Sequence, residues 1–308
     1  MPNLLARLRR ACGRPEYLCR PAQLLVRLSR LGRPTPREVR LAWGLPVEID
    51  PTAHPDVDML NLGVYDLVVC EAICRLLDRG ERALDGGAHV GQNASIMALT
   101  AGLEGRVSAF EPHPELFAAL TANVERWRRY RIAPVEPLRL ALGSGPGRAV
   151  LYEPEGFHGH PGSSSLLRPA SPRAGLEVET TTLDALLPPP ERAGLIKLDV
   201  EGWEVEVLRG AARLIGERRV RDLIYEDFAA QPSAATRLLE EAGYSVFRLE
   251  TTRWRPGLRP RGEWAQRPPE PATCNYLATA APERARDRFR PTGWRCLRIR
   301  ARRRHGAA

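Results

Sequence analysis

Hydrophobic and polar positions change rhythm repeatedly between residues 65 and 279. From Tyr65 to Asp78, apolar residues recur at Leu67, Val68, Ala72, Ile73, Leu76 and Leu77, the spacing of one buried helix face. Gly80 follows as a stop signal. Short apolar runs then alternate with helical segments. Strands are predicted at 82–85, 106–110, 135–142, 195–198 and 220–225, with helices at 91–101, 115–127, 203–215 and 233–242. Thr182 is a good N-cap for a helical turn over 183–187. The last two strands, 244–249 and 275–279, have no helix between them, so an antiparallel edge is expected. Such alternation predicts an α/β fold, a mostly parallel sheet with helices on both faces and right-handed crossovers.

Three stretches fall outside this rhythm. Residues 1–60 are rich in arginine and proline, with a short helix at 21–31 carrying Leu24, Leu25 and Leu28 and two short strands over 39–49 around Gly44. Residues 144–176 are rich in Gly, Pro and Ser and read as an insertion with some extended pieces. The predicted organisation is a basic N-terminal extension at 1–60, one body at 61–280 and a basic, flexible tail at 281–308.

Composition is that of an ordinary globular chain, with 308 residues, 43% hydrophobic and 27% charged. No run of 18 apolar residues marks a transmembrane helix, and no apolar run follows the basic start as in a secretory signal. A cytoplasmic protein is expected. Cys12, Cys19, Cys70, Cys74, Cys274 and Cys296 include no Cys-x-x-Cys pair, so neither a zinc site nor a redox motif is indicated. Cys70 and Cys74 read as small packing groups on one helix. The net charge of +9 is carried almost wholly by arginine, with Lys197 the only lysine. The excess gathers at the ends, in Arg7, Arg9, Arg10 and Arg14 and again in Arg298, Arg300 and Arg302 to Arg304. It reads as solvated ends rather than a binding surface.

Three segments carry candidate chemistry. The first is Leu84-Asp85-Gly86-Gly87-Ala88-His89-Val90-Gly91, where a strand ends in an acid, turns on glycines and enters a helix. Glycines let backbone approach a ligand, and a helix start offers free N–H groups. The spacing is not the Gly-x-Gly-x-x-Gly of dinucleotide binding. An acid at the strand end suits a cationic ligand such as a sulfonium better than a pyrophosphate. The second segment ends a strand at Phe110-Glu111-Pro112, where a carboxylate can accept both hydroxyls of a ribose.

The third, Leu195-Ile-Lys197-Leu-Asp199-Val-Glu201-Gly202, runs an apolar strand into two acids. Lys197, Asp199 and Glu201 alternate, so they share one side of an extended strand, at the end where parallel sheets hold ligands. A lysine and two carboxylates this close shift each other's protonation, as proton transfer requires. The plainer reading is a structural ion pair and a cap for the helix near Trp203.

Together, Asp-Gly-Gly-Ala-x-Val-Gly, Ala-Phe-Glu-Pro-His-Pro and Ile-Lys-Leu-Asp-Val-Glu-Gly-Trp-Glu-x-Glu-Val-Leu-Arg-Gly-Ala resemble the FkbM-type family of methyltransferases over residues 61–280. Asn123, Ala141, Ser165, Leu183, Asp184 and Asn275 fit weaker positions of that family. The resemblance implies the class I, Rossmann-like methyltransferase fold, a seven-stranded sheet with an antiparallel last strand. It also implies S-adenosyl-L-methionine as cofactor and methylation of a hydroxyl on a sugar, a glycolipid or a natural product. Asp85, Gly86, Gly87, Ala88 and Gly91 would line the methionine end, Glu111 would hold the ribose, and Ala141 and Leu142 would border the adenine. Asp199 is the first candidate for the base, with Glu201 second and Lys197 orienting the acceptor or tuning Asp199. No metal is assigned.

One departure is His89, where the family usually has asparagine. His158, His160 and Ser163 to Ser165, within 153–168, are placed to cover the acceptor or to remain in a solvated loop. Two other functions fit the same residues. A nucleic-acid or ribosome methyltransferase is suggested by the basic ends, although the third segment lacks the Asn/Asp-Pro-Pro-Tyr type of sequence used on flipped bases. A non-catalytic binding protein can share the fold.

Overall fold

The computed structural model describes residues 14–23, 37–51, 56–153, 164–167, 174–252, 254–264 and 274–304. A short helix α1 (Pro15–Cys19) precedes an antiparallel hairpin of β1 (Glu38–Arg40) and β2 (Pro46–Glu48). The hairpin is the strand pair expected around Gly44. Of the helix expected at 21–31, only residues 21–23 are described, and they are helical. Helices α2 (Asp56–Leu62) and α3 (Leu67–Leu76) follow. The alternating body then runs β3 (Arg82–Gly86), α4 (Gln92–Ala101), β4 (Arg106–Phe110), α5 (Pro114–Trp127) and β5 (Val135–Leu138).

The predicted strand 135–142 divides in two. β6 (Ala141–Leu142) leaves the main sheet and pairs with β8 (Ala174–Thr181), which also pairs with β7 (Gly147–Glu153). The insertion therefore contains a three-stranded sheet of its own. After α6 (Leu183–Leu186), capped by the Thr182 side chain on Ala185 N, comes β9 (Ala193–Leu198). The helix predicted at 203–215 breaks into α7 (Glu204–Arg209) and α8 (Ala212–Gly216). At the break, a β-carbon on Gly210 would collide with the Gly143 carbonyl, so this backbone passes too close for a side chain. β10 (Val220–Glu226), α9 (Ala234–Glu241), β11 (Ser245–Thr251), β12 (Pro256–Pro260), β13 (Asn275–Thr279) and α10 (Pro282–Phe289) complete the order.

The main sheet has eight strands in the order β12-β11-β13-β10-β9-β3-β4-β5. Without β12 this is the seven-stranded class I methyltransferase arrangement. β13 is antiparallel to both neighbours, but it sits between β10 and β11 rather than at the edge. The extra strand β12 pairs antiparallel with β11. Pro256 and Pro260 bound it, and proline is tolerated in a strand only where no partner needs its N–H, as on this outer edge. Strand β9 is buried at all six positions because both of its faces are covered. One apolar core lies under α3, α4 and the β1–β2 hairpin, the other under α7, α8 and α9.

The described part of 281–308 corrects the expectation of a flexible tail. α10 and the segment after it bury Phe289, Trp294, Cys296 and Leu297 in the same core as Trp43 and Ile73. The fully buried Arg75 guanidinium donates to the carbonyls of Arg288 (2.8 Å), Pro291 (3.0 Å) and Gly293 (2.8 Å), and pairs with Glu71 at 2.6 Å. The apolar residues among the arginines have no helical period, which is why the pattern hid them. The hairpin from the predicted extension likewise joins that core through Val39, Trp43 and Val47.

Candidate active site

Parallel strands end together, so β3, β4, β9 and β10 bring their last residues to one edge of the sheet. A pocket opens there, lined among others by Gly87, Ala88, His89, Glu111, Ala141, Leu142, Lys197, Asp199, Glu201 and Glu226. Three residues expected at the ligand are not among its walls. Asp85 is fully buried beneath the turn, in register with Lys197 on β9. Gly86 packs inside, where a β-carbon would lie 2.9 Å from Leu142 Cδ1 and 3.0 Å from Leu198 Cδ2. Gly91 begins α4 with φ +95°, and a β-carbon there would meet Leu120 and Trp127 of α5 at 2.7 and 2.8 Å. These residues shape the turn instead of lining it.

Gly87 occupies the closest approach. Its φ is +73°, and a β-carbon would run into the carbonyl oxygen of Asp199, so the ends of β3 and β9 meet without room for a side chain. Lys197 closes the junction. Its ammonium donates to Gly87 O at 3.0 Å and lies 3.5 Å from Asp85 Oδ1 and 3.3 Å from Asp199 Oδ2. Burial alone would lower its pKa, but the Asp199 and Asp85 carboxylates outweigh that and raise it. Burial raises Asp85 against the lowering pull of Lys197.

Glu111 stands at the pocket end of β4, accepting from the backbone N–H groups of His89 at 2.9 Å and His113 at 3.0 Å. Burial pushes its carboxyl up to about 7. His89 is left-handed, with φ 51°, a conformation histidine shares with asparagine. The backbone geometry needed to present its N–H to Glu111 thus survives the departure from the family's asparagine. Its Nδ1 lies 3.7 Å from Asp56 Oδ1, and burial lowers its pKa to about 4, so the ring is neutral near pH 7.

Lys197, Asp199 and Glu201 do come together, but not along one extended strand. β9 stops at Leu198, and Glu201 reaches the pocket through a left-handed residue, φ 52°. The Ser165 hydroxyl donates to the Glu201 carbonyl at 2.6 Å, and Ser165 exchanges two backbone hydrogen bonds with Tyr152. Ser164 and Leu166 reach the pocket wall. His158, His160 and Ser163 lie outside the described residues.

Glu226 was missed by the sequence reading. It ends β10 and accepts from the Cys274 thiol at 3.1 Å. Carboxylate oxygens of Asp199, Glu201 and Glu226 all lie within 4.8 Å of one another. That spacing admits one cation among them, and the Lys197 ammonium already stands beside Asp199. Burial, followed by the Asp199 charge, raises Glu226 and pushes Glu201 up to about 8. The signal was present: an apolar strand, Leu223-Ile-Tyr-Glu226, ending in an acid like the two before it. Gln92 was also missed. Its side chain clamps Tyr65 through both backbone groups, at 2.7 and 2.8 Å.

The pocket suits a nucleoside bearing a cationic tail. Leu116, Leu140, Ala141 and Leu142 offer apolar walls, Glu111 offers carboxylate lone pairs for hydroxyls, and the Gly87 turn permits close backbone approach.

Comparison with known proteins places the chain in a family. Residues 85–246 match the model of the methyltransferase FkbM domain. A hexuronic acid methyltransferase, AglP, of Haloferax volcanii is 33% identical over 167 residues, which are 53% of this chain and 62% of that protein. Among solved structures, a SAM-dependent O-methyltransferase from Thermotoga maritima aligns with TM-score 0.40 and 13% identity, over 82% of this chain and 80% of that one. Aeropyrum pernix fibrillarin with natively bound S-adenosyl-L-methionine aligns with TM-score 0.36 and 16% identity, over 80% and 85%.

Proposed function

We infer the activity from one premise: the chain belongs to the FkbM methyltransferase family. We propose that it transfers a methyl group from S-adenosyl-L-methionine to a hydroxyl oxygen on a sugar, a glycolipid or another hydroxylated natural product. The observation that carries this reading is the meeting of Glu111, the Gly87 turn and the Lys197–Asp199 pair in one pocket. The cofactor, when bound, supplies a methyl group already activated by its sulfonium.

The chain's part is then positioning and proton removal. Glu111 accepts ribose hydroxyls, Gly87 and Ala88 face the methionine end, and Ala141 and Leu142 border the base. Asp199, with its side chain 34% exposed, accepts the acceptor's hydroxyl proton. Lys197 holds Asp199 against the turn. Glu201 is the alternative base. The similarity to a hexuronic acid methyltransferase supports a sugar-like acceptor.

Mass spectrometry of native extracts incubated with the protein and isotopically labelled S-adenosylmethionine tests the reading. Label should appear on oxygen of a small hydroxylated molecule or glycan. Label confined to RNA or DNA, with salt-sensitive binding to it, would replace this acceptor class with nucleic acid.

A further inference from the structure

We propose that the small sheet of β6, β7 and β8 belongs to the cofactor site, and that Glu153 on β7 is a positioning residue that steadies the ribose carboxylate Glu111 through the ring of His113. The proposal rests on the methyl-transfer reading above and adds two residues to its cofactor half.

The sheet stands against the pocket. Leu151 of β7 joins Ala141 and Leu142 of β6 in its wall, and Ala141 and Leu151 share a buried cluster with Val178 of β8. Glu153 lies two residues beyond Leu151, on the same face of the strand. Its Oε1 is 3.2 Å from His113 Nε2, at the segment that joins β4 to α5. A carboxylate can only accept, so the ring donates its Nε2–H. His113 is buried, and this hydrogen bond runs from the main body of the protein to the insertion.

His113 also carries the link to Glu111. Its backbone N–H donates to Glu111 Oε1 at 3.0 Å, while the N–H of His89 donates to Oε2 at 2.9 Å. Each oxygen thus has one fixed donor and keeps lone pairs for hydroxyls. His113 sits between Pro112 and Pro114. The proline after it confines its backbone to the extended region, at φ −71° and ψ 126°. Few torsions therefore separate the ring from the N–H. Anchoring the ring to Glu153 fixes the N–H, and the N–H fixes one oxygen of Glu111. A carboxylate set in advance spares the cost of ordering it when the ribose arrives.

The test is a double-mutant cycle on the full-length protein. Wild type, E153A, E153Q, E111A and the double variant E111A/E153A are titrated with S-adenosylhomocysteine by calorimetry, and thermal midpoints are taken on the same samples. E153A should bind about three- to thirtyfold more weakly, the span of couplings within one hydrogen-bond network, with its midpoint within a few degrees of the wild type. E153Q, which keeps an oxygen for the His113 ring, should recover most of the affinity. In the E111A background, E153A should cost no more than about twofold, because the carboxylate it steadies is gone. Wild-type affinity in E153A, an E153Q no better than E153A, or a full additive loss in the double variant would overturn the proposal. So would a collapse of the E153A midpoint, which would make the pair a support of the fold. Each of these leaves the cofactor reading intact. Absence of S-adenosylhomocysteine binding by the wild type would bring down both.

Discussion

The Lys197 ammonium donates a 3.0 Å hydrogen bond to the carbonyl oxygen of Gly87, so the only lysine of the chain ties the end of β9 to the glycine turn after β3. Asp85, beneath the turn, and Asp199, in the pocket, flank the same ammonium. A buried charge, a tight turn and a candidate base are therefore one structural unit. Substitutions in it separate fold from chemistry only if stability and function are measured together.

The turn itself gives the sharpest contrast. Gly87→Ala places a β-carbon against the Asp199 carbonyl at φ +73°. It should destabilise the protein by about 2–4 kcal/mol and abolish cofactor binding. Gly80→Ala, with similar φ of +80° but nothing within 4 Å, should cost only about 1 kcal/mol and keep the affinity. Thermal melts and calorimetry on both variants make the comparison. Equal behaviour would mean that crowding at Asp199 is not what requires glycine.

Glu111→Ala removes the carboxylate that accepts from His89 and His113. S-adenosylhomocysteine should bind about 1–3 kcal/mol more weakly, the range for losing a hydrogen-bonded charged group. Calorimetric affinity equal to that of the wild type would remove Glu111 from the ribose site.

Much of this arrangement was legible in the sequence, because parallel strands buried on both faces read as apolar runs and their ligand-facing ends read as acids. Asp199 and Glu111 were found that way. Glu226 obeys the same rule but has neither the glycine that follows Asp85 and Glu201 nor the short spacing from Asp85 that marks Glu111. The burial of Asp85 was not legible, because a strand-end acid reads the same whether it is open to a ligand or covered beside a buried lysine. Only the register of β3 against β9 distinguishes the two. β12 was invisible because its prolines argue against a strand, and only its edge position permits them.

The C-terminal segment should prove indispensable. Arg75→Ala leaves Glu71 buried without its partner and frees the carbonyls of Arg288, Pro291 and Gly293. A loss of about 3–5 kcal/mol is expected. Truncation after Ala280, which removes Trp294 and Leu297 from the core, should yield no soluble cofactor-binding protein. A truncated chain that melts and binds like the full one would show that this packing contributes little.

Stability should depend on pH with a definite sign. Burial and the Asp199 charge raise Glu201 from 4.5 to about 8. The folded chain therefore holds this proton more tightly than the unfolded one, and stability falls as pH rises through that window. Burial acts the same way on Glu111 and Glu204, each raised to about 7. His89, lowered from 6.5 to about 4, works in the opposite sense, but only below pH 6.5. The ligand-free protein should thus lose stability between about pH 6.5 and 8, and Glu201→Gln should flatten the decline. Denaturant midpoints across that range measure it, and a rising curve would contradict the assignment.

Catalysis is the hardest role to separate from structure. Asp199 is partly exposed, so Asp199→Asn keeps its volume and should leave the thermal midpoint within a few degrees. If Asp199 takes the acceptor proton, turnover should fall by about 10²–10⁴-fold, the usual contribution of a general base. Lys197→Met is a poorer single test, because it strands Asp85 in the core with no counter-charge. The double variant Asp85→Asn, Lys197→Met removes both buried charges and should recover much of the stability. If Lys197 only neutralises Asp85, that double variant should also recover turnover. If it holds Asp199 in position, turnover should stay low in a protein that is stable again. Midpoint and rate measured on the same preparations decide between these outcomes. A stable Asp199→Asn protein with near-normal turnover would transfer the role of base to Glu201 or Glu226, the remaining carboxyl groups within reach.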